Sequence, residues 1–427
     1  MKIAVIADDL TGANDCGVQL VKFDLEVSVM IDANGQPEQD QEVCIYNSDS
    51  RALKPEVAYQ KVKDISEQII QSEPSIIYKK MDSTMRGNVG SELNALVDVF
   101  PCDFVFIAPS YPDQGRQIIQ GIHYVHGVKL AETEFAKDPK TPVTESYIPQ
   151  LVETQTEKKV GLLSRQDLQL GTDHVQAKLA EWKAEGTVYI VCDSITENDL
   201  RELVEQATTW SGTVLWAGSA GLMNHLPQSI RFDKHAPSKK LPSGDSNVFY
   251  VVGSVSGAGR KQLQLLLKET DVTPIELNSF DLVAGPMLKK LELKRAQEAI
   301  EQAFQSNQRI AFFSNNDVQR TQEIGRQNGL TEIEVSEVVS EALGQVAAAI
   351  LKKQDIQLAF LTGGDTAFAI MQELGASTFY LVEELEPGVP VGQIDQTTDL
   401  FVITKAGNFG TEQVMVKALN LFEGERV

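Results

Sequence analysis

Short apolar runs rich in Val, Ile and Phe recur along the whole chain, separated by segments with helical periodicity. In the first half they are Ile3–Ala7, Val27–Ile31, Val43–Tyr46, Ile76–Tyr78, Phe104–Ala108, Val188–Cys192 and Val214–Trp216. In the second half they are Val248–Val252, Ile310–Phe313, Leu358–Leu361, Phe379–Val382 and Leu400–Ile403. Continuous rather than alternating apolarity marks strands buried on both faces. Strands alternating with helices predict an α/β fold whose sheets are largely parallel and flanked by helices. Such sheets bind ligands beyond the carboxyl ends of their strands. The residues that follow each run therefore carry the functional information.

A chain of 427 residues is long enough for two domains, each with its own core. The stretch His235–Ser246 is polar, rich in Pro and Ser, and has no periodicity, as a linker should. It predicts an N-terminal domain at 1–235, a linker at 236–246 and a C-terminal domain at 247–427. Glu132–Pro149 contains three prolines and predicts an excursion or lid of the first domain.

The formal net charge of −22 argues against nucleic acid or an anionic membrane as the main partner. An anionic substrate must then be drawn in by a local cluster of Lys and Arg. Cys16, Cys44, Cys102 and Cys192 form no Cys-x-x-Cys pair and read as free thiols of a cytoplasmic protein. Cys16 falls in a helix entry, yet a packed thiol is the stronger reading. The N-terminus reads as a strand rather than a leader, and no run approaches the roughly 18 apolar residues of a membrane helix. The histidines show no metal-ligand spacing; His123 and His126 are expected to pack. A homodimer is the default expectation for the assembly.

The first run ends in Asp8 and Asp9; Thr11 and Gly12 are expected to turn the chain, with Asn14 or Asp15 capping a helix. Later loops of this half carry Arg51, Lys79, Lys80, Asp82, Ser83, Thr84, Arg86 and Asn88. A guanidinium binds a carboxylate through two parallel hydrogen bonds. Cations for one acidic end, with Asp and Ser for several hydroxyls, suit a small polyhydroxy acid. The competing reading is that Arg51 and Arg86 only pair with Asp8 or Asp82.

The second half ends its strands differently, in Gly253–Gly259, Ser314–Asp317, Gly363-Gly-Asp-Thr366 and Gly407-Asn-Phe-Gly410. Glycine at a strand-to-helix turn lets backbone N–H groups approach a phosphate at a helix N-terminus. Three such turns in one domain predict a nucleotide phosphate cradle. There is no Gly-x-x-x-x-Gly-Lys-Ser/Thr loop and no dinucleotide fingerprint, so neither of those folds is expected.

Ile6–Asp15, Tyr78–Asn88, Leu361–Thr366 and Val402–Gly410 together resemble the four-carbon acid sugar kinases, in order and along essentially the whole chain. Gly127–Pro142 looks like the D-threonate kinase branch, near the D-erythronate and 3-oxo-tetronate kinases. The resemblance implies an acid-sugar-binding N-terminal domain, a nucleotide-binding C-terminal domain and an active site in the cleft between them. It implies ATP-dependent phosphorylation of the terminal hydroxyl of a tetronate. The acid sugar would meet Asp9, Arg51, Lys80, Met81, Asp82, Ser83 and Arg86. The nucleotide would meet Ser254, Gly363, Gly364, Asp365, Thr366, Gly407 and Gly410. Mg²⁺ would bridge the phosphates, with Asp365 holding it directly or through water, and no dedicated metal ligands are assigned. Asp9 or Asp82 would be the base, a choice the sequence leaves open. The family usually has Gly where Asn408 stands; Asn tolerates left-handed backbone angles, so the loop is expected to survive. Two other classes remain, a different small-hydroxy-acid enzyme such as an aldolase or dehydrogenase, and a non-catalytic sugar-acid sensor.

Overall fold

A computed structural model describes residues 1–32, 35, 41–138, 140–227, 247–306, 309–395 and 400–423. The expected linker at 236–246 lies outside these residues. The chain divides into two compact units, Met1–Ala236 and Pro237–Val427.

The strands of the first unit are β1 (Ile3–Ala7), β2 (Val27–Met30), β3 (Val43–Asn47), β4 (Ile76–Lys80), β5 (Phe104–Ala108), β6 (Arg116–Ile119), β7 (Ile122–Val125), β8 (Val128–Lys129), β9 (Lys159–Leu163), β10 (Thr187–Cys192) and β11 (Val214–Gly218). Eight of them form a parallel run ordered β2-β3-β1-β4-β11-β5-β10-β9. Every residue of β1 and β5 is buried, because helices cover both faces and leave no polar side. Burying each Val, Ile or Phe of such a strand contributes about 1.5–3 kcal/mol. Ala4, Ile6, Cys44, Tyr46, Val105, Ile107 and Val191 pack with Leu93 and Leu96 of the helix Val89–Val99 in one core.

The chain leaves β1 for β2 and β3 on one side, then crosses to β4 on the other. That reversal opens a crevice at the carboxyl ends. Register brings Ala7 beside Asn47 and Lys80, and Lys80 beside Gly218. The residues following β1, β3 and β4 therefore meet at one place. β6, β7 and β8 form a separate antiparallel sheet that the apolar runs did not announce.

In the second unit the strands are β12 (Val248–Val252), β13 (Thr273–Leu277), β14 (Arg309–Ser314), β15 (Leu358–Thr362), β16 (Thr378–Glu386), β17 (Val389–Ile394) and β18 (Phe401–Lys405). Their order is β13-β14-β12-β15-β18-β17-β16. The first five are parallel, while β17 runs antiparallel to both β18 and β16. Here the direction reverses between β12 and β15, and register aligns Val252 with Thr362 and Thr362 with Lys405. The glycine turns after β12, β15 and β18 thus emerge side by side.

Candidate functional site

The helix after β1 spans Leu10–Val21 and is capped by Asp9, not by Asn14 or Asp15. Asp9 is extended, at φ −148° and ψ 161°, and its Oδ1 accepts the Gly12 N–H at 2.7 Å. A short carboxylate directly after the strand satisfies an orphan N–H of the first turn, so the helix starts early and absorbs Thr11 and Gly12. A side chain at Gly12 would push its neighbours aside, because a Cβ there would lie 2.6 Å from Asp9 Oδ1 and 2.9 Å from Lys80 Nζ. The first helical turn is thus pressed against a cation from β4.

Arg51 makes the ion pairs of the competing reading. Its Nε and Nη2 donate to the two Asp8 oxygens at 2.8 and 3.0 Å, and its Nη1 lies 2.6 Å from Asp9 Oδ2. Arg86 likewise grips Asp82 through Nε at 2.7 Å and Nη2 at 3.2 Å, and reaches Asp138 with Nη1 at 3.1 Å. Asp138 belongs to the proline-rich excursion, which packs beside Arg86 with Phe135 under the guanidinium. Lys79 is consumed by Glu92. The Asn88 amide N–H groups donate to the carbonyls of Ser50, Arg51 and Leu53, so Asn88 shapes the Arg51 loop.

Lys80 differs from these cations. Its ammonium donates to the Met81 carbonyl at 2.8 Å and makes no ion pair among the described residues. Met81 contributes through that carbonyl, since its side chain is buried in the core. Ser83 is half-buried beside Asp82, and Thr84 donates to Asp82.

The carboxylates divide the same way. Burial raises the proton affinity of Asp8, but Arg51, Lys79 and Lys80 outweigh it and hold the group below the usual carboxylate range. Asp82 is held well below, because Arg86 and Arg51 overcome its burial. Asp9 goes the other way: burial and the neighbouring Asp8 charge together raise it despite Arg51 and Lys80. Its side chain is also the most open of the three, 26 % exposed against 3 % for Asp8 and 12 % for Asp82.

Beside this cluster a hollow of about 510 Å³ is lined by Arg51, Met85, Gly87, Asn88 and Lys140, among others, but not by Asp9, Lys80 or Asp82. His123 is buried, its imidazole pushed down to about 4 by burial, with no hydrogen-bond partner on either nitrogen among the described residues. His126 sits in the β7–β8 turn at φ +48° and packs over Gly115. His123 packs inside as expected, whereas His126 is exposed in its turn. Cys16 is sealed in the core and burial pushes its thiol up to about 12, so the helix entry does not activate it.

The second unit brings its three turns into contact. Gly253 N–H donates to Thr362 O at 2.9 Å and Gly363 N–H to Lys405 O at 3.1 Å. Ser256 caps the helix Gly257–Glu269, and its Oγ donates to Gly407 O at 2.8 Å. A Cβ on Gly253 would lie 2.0 Å from Thr366 Oγ1, and one on Gly407 would lie 2.2 Å from Ser254 Oγ. A side chain at Gly253 or Gly407 would therefore displace the neighbouring Thr366 or Ser254 hydroxyl. Gly364, Asp365 and Thr366 form the first turn of the helix Gly364–Leu374, with Asp365 exposed and Thr366 buried. The left-handed residue of the last loop is Gly410, at φ +78°; Asn408 is not among the positive-φ positions, so it demands no special tolerance. Lys405, which received no role from the sequence, lies under this loop. Its signal was a lone basic residue at the end of an otherwise apolar strand.

A two-domain α/β protein results, with ion-paired carboxylates at the end of one sheet and glycine turns at the end of the other. Residues 3–226 match the family model described as a sugar-binding N-terminal domain, and 249–415 the one described as a nucleotide-binding C-terminal domain. A D-threonate kinase from Salmonella typhimurium is 33 % identical, with 99 % of each chain covered. A D-erythronate kinase from Heliobacterium modesticaldum is 26 % identical over 96 % of this chain and 94 % of that one. A Salmonella typhimurium LT2 crystal structure, provisionally described as a tRNA synthase, superposes with a TM-score of 0.83 at 26 % identity, covering 99 % of both chains. The chain belongs to the four-carbon acid sugar kinase family.

Proposed function

We propose that this chain is an ATP-dependent kinase that phosphorylates the terminal hydroxyl of a four-carbon sugar acid, with D-threonate the first candidate and D-erythronate the second. One observation carries the mechanism: of Asp8, Asp9 and Asp82, Asp9 alone is both open and raised in proton affinity. A general base must accept a proton near working pH, and a group held far below that range accepts it poorly. Asp9 is therefore the base that takes the hydroxyl proton. Asp82 is the positioning carboxylate that fixes Arg86. Lys80, at the end of the neighbouring β4 and without an ion pair among the described residues, offers its charge to the acid sugar, with Ser83 and the Arg51 and Arg86 forks nearby.

The turns at Ser254, Gly363–Thr366 and Gly407–Gly410 hold the nucleotide phosphates through backbone N–H groups. No three His, Cys, Asp or Glu side chains cluster as a metal cage among the described residues. Mg²⁺ that arrives on phosphates needs only one or two carboxylates, and Asp365, exposed in the first helical turn, fits that need. When bound, the ion neutralises phosphate charge. The net charge of −22 opposes a nucleic acid partner.

The test is ADP release from purified protein with Mg-ATP against threonate, erythronate, 3-oxo-tetronate, longer aldonates and neutral tetritols. Turnover restricted to one or two tetronates supports the reading. Turnover of neutral tetritols without tetronates sinks the acid-sugar assignment, and tetronate binding with no use of ATP replaces it with a sensor.

A further inference from the structure

We propose that Lys405 is a phosphate-binding residue, the cation that receives the polyphosphate of a nucleoside triphosphate in the second unit. The inference rests on the nucleotide reading above and adds a residue to it. Lys405 ends β18, and its side chain is all but sealed, with the residue 2 % exposed. Its ammonium donates to two neutral acceptors, Thr362 Oγ1 at 3.3 Å and Gly407 O at 3.1 Å. An ammonium has three donors, so one is left without a protein acceptor among the described residues. No carboxylate pairs with it there either.

This is an unusual place to leave a charge. Burying an ammonium without a counter-ion is costly, and buried charges are normally paired. Among the other buried cations of the described residues, Lys79 obeys that rule with Glu92, while Lys80 and Arg260, like Lys405, donate to neutral acceptors. The surroundings of Lys405 make matters worse for a bare cation. Two helices, Gly257–Glu269 and Gly364–Leu374, begin at two of the three glycine loops, and helix N-termini carry partial positive charge. Burial alone pulls the Lys405 ammonium down to about 8.

An arriving anion resolves all of these at once. It supplies the missing counter-charge, the missing acceptor and a partner for the helix N-termini. Gly253 and Gly407 add no side chain where the loops meet, and backbone N–H groups at such turns can bind an anion. A compact cation on a flexible stem is suited to a phosphate as a point charge. The competing account is that Lys405 is a strut tying the β15 end to the Gly407 loop.

Lys405→Gln separates the two accounts, because an amide can keep a donor toward Gly407 and Thr362 but carries no charge. Calorimetric titration with ATP and with adenosine, each alone, is the readout. We expect ATP to bind at least tenfold more weakly to Lys405→Gln while adenosine changes less than threefold, and Lys405→Arg to recover part of the ATP affinity. Equal ATP binding by wild type and Lys405→Gln overturns the inference and leaves the kinase reading standing. So does an equal loss of ATP and adenosine that Lys405→Arg fails to relieve. Should Lys405→Gln not fold, Lys405→Arg decides: unchanged adenosine binding with ATP within tenfold of wild type supports the charge, and a parallel loss of both ligands overturns it. A wild-type protein that binds no nucleotide overturns the kinase reading and this inference together.

Discussion

Lys79 and Glu92 form an ion pair of 2.7 Å with side chains only 1 % and 3 % exposed. Glu92 also accepts a hydrogen bond from Ser50 at 2.6 Å, so the pair ties β4, the helix Val89–Val99 and the Arg51 loop together. Removing one partner of a buried pair leaves an uncompensated charge and costs about 3–5 kcal/mol, while replacing both with apolar residues is often close to neutral. Glu92→Gln should therefore lower stability by about 3 kcal/mol or more. Lys79→Met combined with Glu92→Leu should sit within about 2 kcal/mol of wild type. Urea unfolding of wild type, Glu92→Gln, the single variants Lys79→Met and Glu92→Leu, and the double variant checks this. A double variant as unstable as the sum of its parts would mean the pair is not coupled.

Asp9 as base leads to a second expectation. Asn caps a helix as well as Asp does, so Asp9→Asn should fold and retain ADP binding. Its kcat should fall about 10²–10⁴-fold. In the wild type, activity should be lost as pH falls through the Asp9 pKa, which lies above the ordinary 3.8 because of burial and Asp8. That acid limb should be missing from the residual activity of Asp9→Asn. An Asp9→Asn profile that keeps the wild-type limb would assign the base elsewhere.

A third expectation concerns stability in acid. His123 is fully buried, and burial, with Arg116 adding and Asp82 opposing, lowers its imidazole from 6.5 to about 4. Above about pH 6.5 neither the folded nor the unfolded chain holds this proton. Below that pH the unfolded chain takes it up first, so stability drops until the folded imidazole protonates near 4. The full window is worth about 3 kcal/mol. His123→Leu should escape this loss, so unfolding at pH 7, 5.5 and 4 should show the variant gaining on wild type as pH falls. A constant difference across the three pH values would show that His123 does not titrate in this window.

The strands with unbroken apolar cores, β1, β5 and β12, were legible to the residue, because burial on both faces admits only apolar side chains. β6 to β8 and β17 were not, since Arg116, Gln117, His123, Pro390 and Gln393 interrupt their apolarity. At the site, the residue types were legible and the pairings were not. Whether Arg51 meets Asp8 or a ligand depends on contacts between residues 43 positions apart, which no local pattern encodes. The same holds for Arg86 and Asp138, and for the crowding that denies Gly407 a side chain. The helix cap was misplaced because Asp9, Asn14 and Asp15 are all good caps by type, and only the end of β1 decides among them.

The two ligand sites should be separable by mutation. Arg51→Lys keeps a charge but cannot reach both Asp8 oxygens and Asp9 in one plane as the guanidinium does. The carboxylates it orders, Asp9 among them, should shift, and binding of the acid sugar should weaken by tenfold or more, or about 1.4 kcal/mol. ADP binding, measured alone, should stay close to wild type. Gly407→Ala acts on the other unit. Its Cβ would lie 2.2 Å from Ser254 Oγ and 3.1 Å from Ser256 Oγ, so Ser254 must rotate away or the loop must shift. ADP binding should then fall by a similar factor, while the acid sugar alone binds as before. Both variants should lose turnover, since transfer needs both ligands positioned. Calorimetric titration of each variant with each ligand, with circular dichroism to confirm folding, gives the result. Loss of ADP binding in Arg51→Lys, or of acid-sugar binding in Gly407→Ala, would end the assignment of one ligand to each unit.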